Sequence, residues 1–186
     1  CLLSRGLGDV YKRQVLPKAV VDPDIYNRFG PDFAIDHGLV LARNEHALAT
    51  VGFGHRYPSV EIWSTSALDQ PWRMEPEEVD AMADLVHAVH VVVGPHVPCN
   101  EEWHHRPVGV GAPVPWRINL KLRVSTLAGF EGGTKIYVNA ISPASLTSRL
   151  LPEMVRAREA GLIAPMDLGD ECSVPRGVLA STRVRG

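Results

Sequence analysis

Residues 115–139 read PWRINLKLRVSTLAGFEGGTKIYVN, and the first half of this segment alternates strictly between apolar and polar residues. Side chains along a strand point to opposite faces with a period of two, so the alternation predicts a β-strand with one apolar face and one polar, basic face. The apolar side carries Trp116, Ile118, Leu120, Leu122 and Val124, and the polar side carries Arg117, Asn119, Lys121, Arg123 and Ser125.

Three cations lie along the polar side of this strand, and we call Arg117, Lys121 and Arg123 the cation row. Arginine offers a planar fork and lysine a point charge, and both hold phosphate oxygens through charge-assisted hydrogen bonds. The row therefore has two interpretations, a phosphate-binding wall or the solvated face of an antiparallel strand.

A glycine-rich stretch follows the strand. Gly129, Gly132 and Gly133 bracket Phe130 and Glu131, and residues 134–141 return to an extended, β-rich pattern. Because glycine permits positive φ and close backbone approach, Gly132-Gly133 predicts first a turn and only second a phosphate cradle. The stretch contains neither G-x-G-x-x-G nor G-K-[ST], so it matches no nucleotide-binding fingerprint.

These segments resemble the second half of the galactose-1-phosphate uridylyltransferases and their relatives. WRINLKLR, AGFEGGTKIYVN and the following SP are similar to that family's H-W-H-I-E-like strand, its GFE or GYE turn and its I-x-N-x-x-x-P element. Residues 57–63 (YPSVEIW) resemble its P-x-E-V-W strand, and residues 103–107 (WHHRP) resemble its W-H-x-x-P. The resemblance extends in order over roughly residues 37–150. It implies an α+β fold with a histidine-triad-like antiparallel sheet and packed helices, in a superfold where two related halves form one chain.

The resemblance also implies a ligand, a nucleotide-sugar or a sugar phosphate, and a homodimer in which the GFE segment often completes a site in the partner subunit. Glu131 is then the acceptor for sugar hydroxyls, or alternatively the ion-pair partner of Lys135 or of a nearby arginine. With the polar side of the strand included, the predicted substrate-binding residues are Arg117, Asn119, Lys121, Arg123, Gly129, Phe130 and Glu131.

In the resembled family, two histidines of the strand and the histidine of W-H-x-x-P help to hold a metal ion. Here Pro115 and Arg117 stand at the strand positions, and only His104 remains. Proline has no ligand atom and a guanidinium is permanently charged, so neither replaces an imidazole. We therefore expect no metal and no cofactor in this chain, with His104 as the remaining candidate ligand and Arg117 standing where the metal's charge would be. Any zinc would belong to an upstream half.

The first residues of the chain are interpreted as a segment that is not part of the natural protein. Residues 4–14, SRGLGDVYKRQ, read as a translated sequencing adapter, and residues 1–14 are therefore left out of the fold prediction. Residues 15–36 are predicted to be a linker from a missing upstream half, residues 37–160 a histidine-triad-like C-terminal domain, and residues 161–186 an irregular tail. The resemblance places the nucleophilic histidine in the upstream half. This chain contains no H-x-H tripeptide, so we expect no catalytic residue in it and no turnover by it alone.

Composition excludes several classes of protein. With 19 basic and 21 acidic residues the net charge is −2, and no Lys/Arg-rich block of the kind that tracks nucleic acid occurs. No apolar run approaches membrane-spanning length. Cys99 and Cys172 lie outside the adapter segment and form no C-x-x-C, which indicates free thiols in a reducing compartment and hence a cytoplasmic protein.

Helical spacing is clearest at residues 77–93, where Pro76 suits the first turn and Gly94-Pro95 ends the pattern. Strands are predicted at residues 38–42, 47–52 and 60–64, and Ser142-Pro143 begins a second helix that Pro152 should end or kink. His87 and His90 share one helix face, but no third ligand has matching reach, so a satisfied pair is favoured over a metal site.

Two functions remain open on these grounds. In the first, the chain is the C-terminal fragment of a nucleotidyltransferase and contributes fold, dimer surface and phosphate- or sugar-binding residues. In the second, it is a degenerate, non-catalytic domain that binds a phosphorylated ligand or is purely structural.

Overall fold

The computed structural model describes residue 18, residue 22, residues 24–124 and residues 129–182. The predicted adapter segment, residues 1–14, lies outside the described residues, as does Ser125 of the alternating strand.

An antiparallel sheet forms the centre of the molecule. Its strands are β1 (Val40–Arg43), β2 (Ala47–Val51), β3 (Ser59–Ser64), β4 (Cys99–His104), β5 (Arg117–Leu122) and β6 (Asp167–Leu168). Within the described residues they form a six-stranded sheet in the order β4-β5-β3-β2-β1-β6. The alternating strand, β5, thus lies inside the sheet with β3 on one side and β4 on the other. The strands predicted near β1, β2 and β3 are confirmed, with small shifts at their ends.

Five α-helices are described, α1 (Ile25–Arg28), α2 (Pro31–Asp36), α3 (Pro76–Val93), α4 (Gly129–Thr134) and α5 (Pro143–Glu159). The two long ones, α3 and α5, pack on one face of the sheet and on each other. The predicted α+β fold, an antiparallel sheet with packed helices, is confirmed. None of the described helices is both long and apolar enough to cross a bilayer.

Helix α3 begins and ends where the sequence predicts. The backbone N–H of Glu75 donates to the Glu78 carboxylate at 3.1 Å, which closes a capping box, and Pro76 is the first helical residue. Gly94 ends the helix with φ +77°, a conformation that favours glycine. Its buried residues, including Met82 and Leu85, belong to the main core.

Helix α5 does not end at Pro152, which was one of the two outcomes predicted there. Ser142 caps the helix as predicted, accepting a hydrogen bond from the Ser145 backbone at 3.2 Å. The helix then runs unbroken through Pro152, which lies on its exposed side. Leu146, Leu150 and Met154 bury one continuous stripe in the core on both sides of the proline, and this packing outweighs the single backbone hydrogen bond that proline removes.

The glycine-rich stretch also differs from its prediction. The Gly132-Gly133 pair lies in the short helix α4, not in a turn, and residues 135–142 form no strand. Strand β5 is already paired on both sides, so the sheet has no vacant edge beside β5 for the residues that follow it. Ile136, Tyr137 and Val138 therefore remain exposed.

The two faces of the sheet differ. Apolar residues of β2, β3 and β5 face α3 and α5 in the main core, among them Val51, Ile62 and Leu120. On the other side a smaller cluster gathers at one end of the sheet, made of Tyr26, Leu48, Trp63, Val114, Val178 and Leu179. Residues from α1 and from the C-terminal segment thus cover this end of the second face.

Helix α1 and the C-terminal segment meet over that smaller cluster. The Asn27 side chain donates to Thr182 Oγ1 at 2.9 Å and accepts from the Leu179 backbone at 2.9 Å. The described part of residues 15–36 therefore carries two packed helices, and the C-terminal segment carries β6 and short 3₁₀ turns. The domain boundaries at residues 37 and 160 stay predictions.

Gly30 provides the first testable point. A Cβ at Gly30 would lie 2.6 Å from the Tyr26 carbonyl oxygen and 2.9 Å from the Trp63 ring, whereas a Cβ at Gly111 would meet nothing within 4 Å. We expect Gly30→Ala to lower the free energy of unfolding by roughly 1–3 kcal/mol through overpacking, and the control Gly111→Ala to change it little. Urea denaturation of both variants measures this, and equal effects would contradict the close packing of α1 on Trp63.

Candidate functional site: a polar face of the sheet

Strand register brings charged side chains onto the face opposite the main core. Residues paired directly across antiparallel strands point to the same side. Glu61 pairs with Asn119 and Asn119 with Glu102, while Arg117 pairs with His104 and Ser59 with Lys121. We call the side chains of Glu61, Glu102, His104, Arg117, Asn119 and Lys121 the polar face.

A buried ion pair lies at the centre of the polar face. Arg117 Nη1 donates to Glu61 Oε1 at 2.5 Å, and the two side chains are only 8% and 5% exposed. The Arg117 guanidinium carbon also lies 4.9 Å from the Trp63 ring centre. Burial by itself would raise the pKa of Glu61, but the Arg117 cation and a hydrogen bond from His55 outweigh it, so the pKa of Glu61 is held below its usual range.

His55 reaches this pair from the loop between β2 and β3. Its Nε2 lies 3.3 Å from Glu61 Oε1. The imidazole lies directly over Gly52, where a Cβ would come within 2.5 Å of the ring. Glycine is therefore required at position 52 for His55 to contact Glu61.

His104 is a neutral imidazole at physiological pH. Burial, and then the adjacent Arg117 cation, lower the pKa of His104 to about 4. Its Nε2 lies 3.6 Å from Glu102 Oε2, and Glu102 accepts a hydrogen bond from Lys121 Nζ at 2.5 Å through its other oxygen. With His104 neutral, the two cations and two carboxylates of the polar face balance.

Asn119 lies between Glu61 and Glu102 in the strand register. It is 2% exposed, and its Oδ1 has no hydrogen-bond partner within the part of the chain that the structure describes. An unsatisfied buried acceptor costs about 1–3 kcal/mol, so a bound group that donates to it would stabilise the site.

The structure brings together only some of the predicted site residues. Arg117, Asn119 and Lys121 share the polar face, but the first two are buried, so this is not a solvated face. Arg123 follows the end of β5 and is exposed. Gly129, Phe130 and Glu131 lie in α4, outside the polar face. The loop that carries His55 contacts the segment after α4, since Asn139 Nδ2 donates to the His55 carbonyl at 3.4 Å.

Sequence reasoning missed the acidic half of the site. Glu61, Glu102 and His55 were not predicted as site residues, although Glu61 is a lone carboxylate in the otherwise uncharged strand SVEIWS. A buried charge in a central strand needs a partner, so that lone carboxylate was the available signal. Glu102 gave no comparable signal because β4 carries charge on both faces.

The histidines that the sequence offers as candidate metal ligands are His104 and the His87–His90 pair. Among the described residues no group of three or more His, Cys, Asp or Glu is placed to hold a metal ion. His104 faces Arg117, whose positive charge opposes a bound cation. The His87–His90 pair is satisfied in part, because His90 Nε2 bonds with Glu101 at 2.8 Å.

Comparison with known proteins places the chain in a family. Residues 9–181 match the family described as a domain of unknown function, DUF4921. The match begins inside the predicted adapter segment, so residues 9–14 belong both to that prediction and to the match. No curated protein matches the chain.

Solved structures share the fold at low identity. A uridylyltransferase is 18% identical with a TM-score of 0.56, over 77% of this chain and 50% of that chain. A galt-like protein from Arabidopsis thaliana is 18% identical with a TM-score of 0.52, over 64% and 46% of the two chains. An ADP-glucose phosphorylase from the same plant, solved with bound ADP-glucose, is 17% identical with a TM-score of 0.52, over 66% and 41%. This chain thus spans about half the length of the structures it matches.

The buried ion pair generates a stability prediction. Arg117→Met leaves Glu61 buried without its main cation, and we expect a loss of about 3–5 kcal/mol in the free energy of unfolding. The double variant Glu61→Gln/Arg117→Met removes both charges and should lose much less than Arg117→Met, which denaturant titration of the two single variants, Arg117→Met and Glu61→Gln, and of the double variant measures. Additive losses from the two single changes would contradict the pairing.

His104 generates a pH prediction. Because the folded state lowers the pKa of His104 from its ordinary 6.5 to about 4, the unfolded chain binds the proton more tightly between these values. The stability contributed by neutral His104 is therefore complete above pH 6.5 and lost as the pH falls towards 4. We expect a loss on the order of 2 kcal/mol between pH 7.5 and 4.5.

His104→Gln should flatten this pH dependence, as measured by urea denaturation across the same range. The control His87→Gln removes an exposed histidine and should leave the dependence unchanged. Equal slopes in the two variants would show that another group is responsible.

Proposed function

The chain belongs to the DUF4921 family, a domain of unknown function, and we propose that it forms part of a nucleotidyltransferase whose ligand is a nucleotide-sugar or a sugar phosphate. The uridylyltransferase and ADP-glucose phosphorylase folds support the nucleotidyltransferase class. In this proposal the chain supplies a C-terminal half, a dimer surface and ligand-binding residues, while the nucleophile belongs to an upstream half.

One observation carries the proposal. The sheet, which belongs to the fold of the uridylyltransferases, has a polar face on which two cations pair with two carboxylates. Its two ion pairs differ in burial. The Glu61–Arg117 side chains are 5% and 8% exposed, whereas Glu102 is 37% exposed beside a Lys121 that is 12% exposed. Partly exposed ion pairs contribute little net stability, so Glu102 can turn to solvent at small cost and Lys121 can bind a phosphate instead.

Arg117 then has a positioning role. Its cation holds the Glu61 carboxylate ionised and fixes β5 against β3. In the resembled family a metal would supply positive charge at this place, and we propose that Arg117 supplies it here. Lys121, Asn119 and Arg123 are the residues we assign to ligand contact, together with Gly129, Phe130 and Glu131 from α4.

A second function is favoured by one specific observation. Arg117 and Lys121 each pair with a carboxylate, so the cation row neutralises charge inside the fold. On this basis the chain would be a structural domain without a phosphate ligand. Binding measurements separate the two proposals.

We expect UDP-glucose to bind the chain in calorimetric titration and Lys121→Gln to weaken binding by about tenfold or more, because one charged hydrogen bond is lost. Added salt should weaken it too. The control Arg149→Gln removes an exposed arginine of α5 and should have no effect. Absence of saturable binding of UDP-glucose, UDP and ATP would favour the structural domain.

A further inference from the structure

Arg56 lies in the loop between β2 and β3, next to His55. Its guanidinium carbon is 3.8 Å from the centre of the Tyr137 ring and 5.6 Å from that of Tyr57. Tyr137 belongs to the exposed segment that follows α4. The guanidinium thus lies against aromatic rings contributed by two separate parts of the chain, and such stacking fixes its orientation.

Arg56 differs from most arginines of the described chain in its partners. Arg28, Arg106, Arg117, Arg156, Arg158 and Arg176 each pair with a carboxylate. No carboxylate of the described residues lies within ion-pair distance of Arg56, and its Nε is buried without a hydrogen-bond partner there. The guanidinium charge is thus not balanced by a carboxylate among the described residues, and such a cation attracts a negatively charged acceptor.

The loop connects Arg56 with the polar face. His55, the preceding residue, contacts Glu61 through its ring and Asn139 through its carbonyl. Ser59, at the beginning of β3, pairs with Lys121 across the sheet. Arg56 therefore lies beyond the end of the sheet at which Lys121 is found.

Another groove with two arginines is a weaker candidate. It has a volume of about 650 Å³ and is lined by Arg43, Arg158 and Asp167 among others. Both arginines there already have acceptors, because Arg158 binds Glu171 and the Met166 carbonyl, and Arg43 binds the Ser173 carbonyl. An anion would have to displace these contacts, whereas at Arg56 it would not have to displace a carboxylate of the described residues.

We propose that Arg56 is a phosphate-binding residue, stacked on Tyr137 so that its planar fork binds phosphate oxygens of a ligand that also occupies the polar face. This inference deepens the proposed function and rests on it for the identity of the ligand. A bidentate fork suits a tetrahedral phosphate, and a diphosphate spans two separate cations better than a single phosphate does. Taken together with the proposed function, this points to a diphosphate-bearing nucleotide as the ligand.

The test is calorimetric titration of inorganic pyrophosphate and of UDP-glucose into the unaltered chain and three variants. Arg56→Gln should weaken pyrophosphate binding by about tenfold or more. Arg56→Lys keeps the charge but loses the fork and the stack, so its binding should be intermediate. The control Arg149→Gln should bind as the unaltered chain does. Thermal denaturation of each variant shows whether it is folded, and Arg56→Lys serves as the test if Arg56→Gln is not.

The outcomes separate the two proposals. Unchanged pyrophosphate and UDP-glucose affinity in Arg56→Gln would overturn the role of Arg56 and leave the proposed function standing. Arg56-dependent binding of pyrophosphate without any binding of UDP-glucose would support the anion site and count against the proposed function. If neither probe binds the unaltered chain, both proposals are wrong.

Discussion

The ion pair between Glu61 and Arg117 constrains the rest of the structure. A carboxylate inside a central strand is tolerated only with a cation at hydrogen-bond distance, and that cation comes from the neighbouring strand. The requirement sets which face of β5 points away from the main core. His55, which lies against Gly52, contacts the same carboxylate, and Trp63, which packs with residues of α1 and the C-terminal segment, lies against the Arg117 guanidinium.

The two ion pairs of the polar face have different roles. Glu61–Arg117 is a fixed element of the fold, and its removal acts first on stability. Glu102–Lys121 lies closer to solvent and can exchange partners. The distinction matters for ligand binding, because a phosphate that binds the lysine or arginine of an ion pair must compete with the carboxylate of that pair. Only the pair whose carboxylate is easily hydrated can release its cation at small cost.

Local signals account for what could be predicted from the sequence. The alternation along β5, Pro76 and Gly94 at the ends of α3 and the Ser142 cap of α5 are signals that act within a few residues, and all were found. The partners of Arg117 and Lys121 are 56 and 19 residues away, and only strand register brings them together.

Strand β4 went unrecognised because both of its faces carry charge. The residues after α4 follow a β-rich pattern yet form no strand. Propensity alone does not make a strand, because a strand also needs a free sheet edge, and β5 already has a neighbour on each side.

The position of β5 in the sheet also bears on how the chain folds during synthesis. Translation produces β3, with Glu61, well before β5, with Arg117, and the two residues are 56 positions apart. Until β5 is in place, β3 is an edge strand of the β1–β3 assembly, and Glu61 lacks the Arg117 cation. Burying that carboxylate without its cation is unfavourable, so dry packing around Glu61 requires β5. Domains with many contacts distant in sequence fold slowly and expose unpaired strand edges meanwhile. In this chain an unpaired edge at β3 would carry the charged Glu61, and charged side chains disfavour the pairing of such an edge with another chain.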